Sequence, residues 1–254
     1  MRSAYRFPYS LLLSSKYFLL TSVNVLNIPI DNLTRAAVLT QIDHWLAGGD
    51  TFHRIATVNP EFLLLAQKNA AFRGALLSAD LRLADGVGLH LPFFLAGESL
   101  LERIPGADLL SEILQRADER FLSVGLILAP DGLSSFEAIK QTLHERYPNL
   151  AIFKFAPEYF SPQKPIPYNL VFCNYGAPLQ EIVLAGLRQS AGAIRLVMGV
   201  GGAFDFLTGQ ISRAPKPVRS IGLEWAWRLL QQPKRFRRIW NAVVIFPMKV
   251  LSQK

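Results

Sequence analysis

With one cysteine, Cys173, in 254 residues, the chain cannot rest on a disulfide framework. Cys173 lies in the apolar run LVFC and reads as a small core residue. No stretch reaches the ~20 apolar residues that a bilayer-spanning helix needs. Near the start, Arg2 and Arg6 precede LLLSSKYFLL, but Lys16 and serines interrupt that run, which argues against a signal peptide. The four histidines, His44, His53, His90 and His144, are scattered, and neither an H-E-x-x-H nor a D-x-D spacing occurs. Spacing therefore supports no protein metal site, and none is expected.

Acidic residues are nearly missing from one region. Residues 213–254 hold ten Lys or Arg and one acid, Glu224, so this tail carries +9 of a total of +8 and the rest is −1. Within it Phe236, Ile239, Trp240, Val243 and Val244 recur at helical spacing, next to Lys234, Arg235, Arg237 and Arg238. A basic amphipathic segment with tryptophan suits an anionic membrane surface. The interleaved apolar residues favour a bilayer over a phosphate backbone, so no nucleic-acid partner is expected. Packing of the same stripe on its own domain or on another subunit is the alternative.

What is present in quantity is apolar sequence, at 50% of residues, enough for a sizeable core. The segment 23–30, VNVLNIPI, reads as a strand, with Asp31 capping a helix to residue 45. FHRIATV is the next strand. Asn59-Pro60-Glu61 then supplies a cap, a proline in the first turn and an acid there, a strong helix start. A second short helix around Phe72 leads to the strand LRLA and to Asp85-Gly86-Val87-Gly88. Further helices are expected over 89–95, 106–117 and from 132 to Tyr147, with strands SVGLILA, AIFKF, NLVFCNY and IRLVMGV. Residues 157–167 form a proline-rich loop, read as a lid or a surface excursion. The alternation of strand, loop and helix implies a mainly parallel sheet with helices on both faces.

In such a sheet the loops at the carboxyl ends of strands line the ligand crevice. Asp85 follows a strand and precedes two glycines that admit a close approach, so it is a candidate base; capping of the next helix explains it equally. Asn59 has the same two readings. Gly176-Ala177-Pro178 and Gly199-Val200-Gly201-Gly202 also follow strands, and the first leads to a helix N-terminus suited to phosphate, although tight turning accounts for both. Neither completes G-x-G-x-x-G or a Walker A loop. Asp205 could receive a uracil or ribose, or close a local turn.

Taken in order, several stretches resemble one family: TVNPEF at 57–62, SADL at 78–81, DGVG at 85–88, RIPGAD at 103–108, GAPLQE at 176–181 and GVGGAFDF at 199–206. RAP at 213–215, GLEW at 222–225 and RLLQQPKRFRR at 228–238 extend the series. Together they resemble the WecG/TagA/CpsF glycosyltransferases of bacterial surface-polymer assembly. Pro105, Leu179 and Ala129-Pro130 depart from that pattern.

The resemblance implies inverting transfer of a sugar from a UDP-sugar to a polyprenyl-diphosphate-linked sugar, without a cofactor or an obligatory protein-bound metal. It makes Asp85 the catalytic base and Thr57 and Asn59 a polar pair in the pocket. Arg103, Gly106, Asp108, Gly176, Gln180, Glu181, Gly201, Gly202 and Asp205 become substrate contacts. Arg228, Arg235, Arg237 and Arg238 become the groups that meet the diphosphate and the membrane. The expected protein is thus a Rossmann-like α/β core (23–212) with an N-terminal extension (1–22) and a basic amphipathic helical appendage (213–254). It would act in the cytoplasm, peripherally on the inner face of the cell membrane, with homo-oligomerisation left open. An inactive nucleotide-sugar-binding homologue and a membrane-surface adaptor are the alternatives.

Overall fold

A computed structural model describes residues 21–48, 52–156, 167–190, 192–233 and 236–252. Most of the N-terminal extension, nearly all of the proline-rich loop, and Arg235 lie outside the described residues. Eight strands form one sheet: β1 (Ser22–Val25), β2 (Ile28–Asp31), β3 (His53–Val58), β4 (Leu81–Ala84), β5 (Ser123–Ile127), β6 (Ala151–Lys154), β7 (Leu170–Cys173) and β8 (Leu196–Gly199). Their order is β1-β2-β4-β3-β8-β7-β5-β6, and every pair is parallel except β1 with β2. The central strands LVFC and LVMG are buried throughout, as strands covered on both faces must be.

Two helical layers cover the sheet. One face packs α1 (Arg35–Ala47), α5 (Gly106–Asp118) and α6 (Phe136–Arg146) through residues such as Val38, Ile42, Leu110, Ile113 and Leu143. The other receives α2 (Pro60–Ala66), α3 (Ala70–Leu77) and α4 (His90–Leu95) through Phe62, Leu63, Phe72 and Phe93. On that side α7 (Leu179–Gly186) follows β7, with Leu184 packed against Val171 and Val197. Cys173 is fully buried, and burial pushes its thiol up to about 12, consistent with an inert core residue.

Two local expectations are corrected. The segment 23–30 belongs to a hairpin, β1 and β2 joined at Leu26 and Asn27, both at positive φ (50° and 62°). That is the backbone of a tight mirror-image turn, but without glycine it carries no turn signature, and burial of the Leu26 side chain offsets the strain. Asp31 caps nothing: it ends β2 and accepts the Arg82 backbone N–H at 2.7 Å. The cap of α1 is Thr34, whose hydroxyl accepts from the Ala37 N–H at 3.3 Å.

Strand register places the site. Val58 pairs with Ala84 and Cys173 with Gly199, so the next residues, Asn59, Asp85, Asn174 and Val200, leave the sheet along one carboxyl edge. The chain steps from β3 to β4 on one side, then crosses to β5 on the other, which opens a crevice at that edge.

After α8 (Ala203–Leu207), the basic tail folds back over this edge as α9 (Lys216–Ser220), α10 (Glu224–Gln231), α11 (Phe236–Trp240), a π-helical turn (Asn241–Ile245) and α12 (Phe246–Leu251). Its apolar stripe is divided between the protein and the outside. Phe246 is 0% exposed and joins Phe62, Leu63 and Val250 in the core, whereas Phe236, Trp240 and Val243 remain exposed. Phe246→Ala is therefore expected to lower stability by ~3–5 kcal/mol, read as a fall in the urea midpoint with an unchanged slope. No helix among the described residues is long and apolar enough to cross a membrane.

Candidate active site

Two adjoining cavities occupy the crevice, one of about 620 Å³ and one of about 460 Å³. The larger is walled by apolar groups, among them Val87, Ile221, Leu223, Trp225, Ile239 and Val243. The smaller is polar, with Asp131, Asn174, Gln180, Asp205 and Gln232 in its wall. Thr57, Asn59, Asp85, Gly202, Arg228 and Arg238 border both, so the two chambers meet at these residues.

Asp85 is recessed at that junction. Its Oδ2 accepts the Gly106 N–H at 3.3 Å. Burial raises its pKa from 3.8 to about 6; the Gly106 hydrogen bond opposes the rise, Glu224 adds to it, and Arg103 and Arg228 oppose it. A carboxylate poised there can take a proton near neutral pH. Gly106 also has a steric role, since a Cβ at that position would lie 2.8 Å from Thr57 Oγ1. Asn59 does cap α2, accepting the Phe62 N–H at 3.1 Å, while bordering both chambers.

Among the tail arginines the structure discriminates. Arg228 lies with its guanidinium carbon 4.6 Å from the Phe206 ring centre, and its Nε and Nη2 are buried with no hydrogen-bond partner among the described residues. Burial lowers its pKa, opposed chiefly by Glu224. Arg238 forks onto Glu61, with Nε 2.8 Å from Oε1 and Nη2 2.6 Å from Oε2. Arg237 is exposed and borders neither cavity.

Several expected substrate contacts are bonded within the framework, and some of them still border a cavity. Asp108 borders neither cavity; it accepts from Arg213 Nη1 at 2.5 Å and lies 3.6 Å from Arg219 Nη1, tying the tail to α5. Glu181 is 0% exposed and pairs with Arg54, away from ligand space. Gln180 does reach the polar chamber, but its Oε1 accepts from both the Gly176 and Gly201 N–H groups at 3.1 Å. The two glycine turns therefore spend those N–H groups on Gln180 and not on a phosphate. Arg103 borders the larger cavity and donates from Nη2 to the Arg219 carbonyl at 2.8 Å. Asp205 borders the polar chamber from within α8 and accepts from the Ser134 hydroxyl at 2.7 Å.

Other residues of the walls have no signature in isolation. Glu224 and Phe206 reach the larger cavity, and Asn174 the polar one, where its Oδ1 is held by the Ala129 N–H at 2.6 Å. Position directly after β7 was the one clue to Asn174. Among the described residues no cluster of three or more His, Cys, Asp or Glu side chains could hold a metal ion.

Fold and site together define a doubly wound α/β protein whose crevice joins a polar chamber and an apolar chamber at one desolvated carboxylate. The glycosyl transferase WecG/TagA/CpsF family model matches residues 23–254. A protein of Bacillus spizizenii (strain ATCC 23059 / NRRL B-14472 / W23), N-acetylglucosaminyldiphosphoundecaprenol N-acetyl-beta-D-mannosaminyltransferase, is 31% identical over 192 residues, 73% of this chain and 74% of the relative. The chain belongs to the WecG/TagA/CpsF family of glycosyl transferases.

Proposed function

We propose that this glycosyltransferase moves a sugar, with inversion, from a UDP-sugar in the polar chamber to a polyprenyl-diphosphate-linked sugar entering through the apolar one. The observation that carries the reading is Asp85, raised to about 6, at the junction of two chambers of opposite character. An acceptor hydroxyl oxygen attacks the anomeric carbon as its proton passes to Asp85. The bond from that carbon to the diphosphate oxygen breaks, and the electron pair leaves with UDP. Arg228, with donor atoms uncommitted at the shared wall, stabilises the charge developing on the diphosphate. Thr57 and Asn59 shape the wall beside the reacting groups, and Asp205 contacts the nucleoside. No protein-bound metal is invoked, because guanidinium groups supply the countercharge.

The Bacillus relative is named for N-acetylmannosaminyl transfer to an undecaprenol-linked acceptor, so UDP-N-acetylmannosamine heads the donors to test. Protein, a UDP-sugar panel, a lipid-diphosphate-sugar acceptor and EDTA are incubated together. A longer glycolipid and stoichiometric UDP are expected; no turnover with any donor would sink the enzymatic reading in favour of a binding or adaptor role.

We further propose that residues 213–254 dock the protein peripherally on the cytoplasmic leaflet. Ile221 and Val243, 65% and 45% exposed, belong to the apolar chamber wall, so that wall continues to the surface. Exposed Phe236, Arg237 and Trp240 lie close by in the chain. The double substitution Arg237→Glu with Trp240→Glu is expected to weaken co-sedimentation with phosphatidylglycerol vesicles by ~10-fold or more while leaving UDP binding intact. Unchanged sedimentation would refute this docking face.

A further inference from the structure

Arg54 and Glu181 form a salt bridge that no ligand can reach. Arg54 stands on β3 and Glu181 on α7, at 1% and 0% side-chain exposure, with Arg54 Nη1 3.0 Å from Glu181 Oε2. Burial pushes the Arg54 pKa down and the Glu181 pKa up, each against the pull of the other charge. Such a pair adds little net stability, since apolar residues of similar volume often replace it without loss. Its geometry points to another use.

The guanidinium is locked from several sides. Arg54 Nη2 donates to the Ser78 hydroxyl at 2.9 Å and to the Ala75 carbonyl, both near the end of α3. Glu181 turns its other oxygen, Oε1, to Gln180 Nε2 at 3.1 Å. With its NH2 group held there, the Gln180 amide has one orientation, and its oxygen receives the N–H groups of Gly176 and Gly201. These glycines sit in the turns after β7 and β8, at φ of +74° and +48°. The packing leaves no slack: a Cβ at Gly199 would lie 2.4 Å from both Gln180 Nε2 and Glu181 Oε1.

We propose that Arg54 and Glu181 are positioning residues for the polar chamber: through the Gln180 amide they pin the turns after β7 and β8 into one rigid donor-side wall. The chain of contacts runs from α3 through β3 and α7 to two strand ends, and its last members, Gly176, Gln180 and Gly201, border the chamber. The donor aspect rests on the reading of that chamber as the UDP-sugar site.

Two variants test it in the full chain. Gln180→Met removes the shared acceptor and leaves the ion pair intact. The double variant Arg54→Met with Glu181→Leu removes the pair and leaves Gln180 in place, without stranding a buried charge. Both are expected to melt cooperatively, to speed amide hydrogen exchange at Gly176 and Gly201 by ~10-fold, and to raise the donor KM ~10-fold with the acceptor KM unchanged. Should the double variant not fold, Gln180→Met decides the matter alone. Wild-type exchange rates at both glycines in a folded variant, or donor and acceptor KM rising together with general loss of protection, would overturn the proposal. If wild-type protein binds no UDP while the two glycine amides respond as expected, the donor reading fails and the positioning role stands.

Discussion

Asparagine in place of Asp85 is expected to cut transfer by ~10²–10⁴-fold, the range for loss of a positioned general base, while making the protein more stable at neutral pH. Asn keeps the size of the side chain and an oxygen for the Gly106 N–H, so the wall stays in place. The stability gain follows from the raised pKa. The folded protein holds the Asp85 proton up to about pH 6, whereas the unfolded chain releases it near 3.9. Between these values the native state binds more protons, so stability falls as pH rises through the window, and the loss is complete above it.

Removing the charge should thus recover on the order of 2–3 kcal/mol at pH 8 and nothing below about pH 4. Denaturant midpoints at those two pH values measure the difference. In the wild type, kcat/KM should fall with unit slope below about pH 6 and be level above it, because only the ionised form accepts the proton. A variant that retains near-normal turnover, or a profile without this acid limb, means that the base lies elsewhere.

Arg228→Met is the second large effect. Arginine at this position places a desolvated guanidinium against Phe206 and leaves Nε and Nη2 without partners among the described residues, an arrangement that costs stability unless an anion arrives. Methionine keeps an unbranched apolar stem without the charge. Turnover should fall ~10²–10³-fold, the magnitude found when a preorganised donor to a developing anion is removed. Folding stability should be unchanged or higher.

A coupled sign distinguishes this outcome from misfolding. Arg228 is one of the groups that hold the Asp85 pKa down, so its loss should move the acid limb of kcat/KM to higher pH. An acid limb that stays in place would show that the two side chains do not share a site. Both substitutions thereby trade activity for stability, as expected where function requires charges kept out of water.

The loops that hold these residues were legible in the chain because their signals are local. A strand of apolar residues running into Asn59-Pro60-Glu61 specifies a helix start within a few positions, and α2 begins at Pro60 as that pattern requires. The alternation of strands and helices specifies a parallel sheet, whose carboxyl edge then gathers Asn59, Asp85 and Asn174 without further information. The series of motifs carried the family. The reading of Asp85 as a base came from that resemblance, since its spacing admits a cap equally well.

What escaped the sequence depends on partners far along the chain. Asp108 stands in a helix start like any first-turn acid; its contact, Arg213, is 105 positions away. Gln180 was placed beside the donor, yet its acceptor is consumed by Gly201, which comes to it only when β7 and β8 pair. The stripe from Phe236 to Val244 has one period whether it faces lipid or protein, and Phe246 shows by its burial that the end of the tail packs in the core.

The sequence by itself therefore determined the order of the elements, the family and the polar loops at the strand ends, because propensity and periodicity act over a few residues. Only the tertiary structure decided which charged side chains border the crevice and which pair with one another. That choice depends on desolvation and on hydrogen-bond partners, and both exist only after distant segments have met.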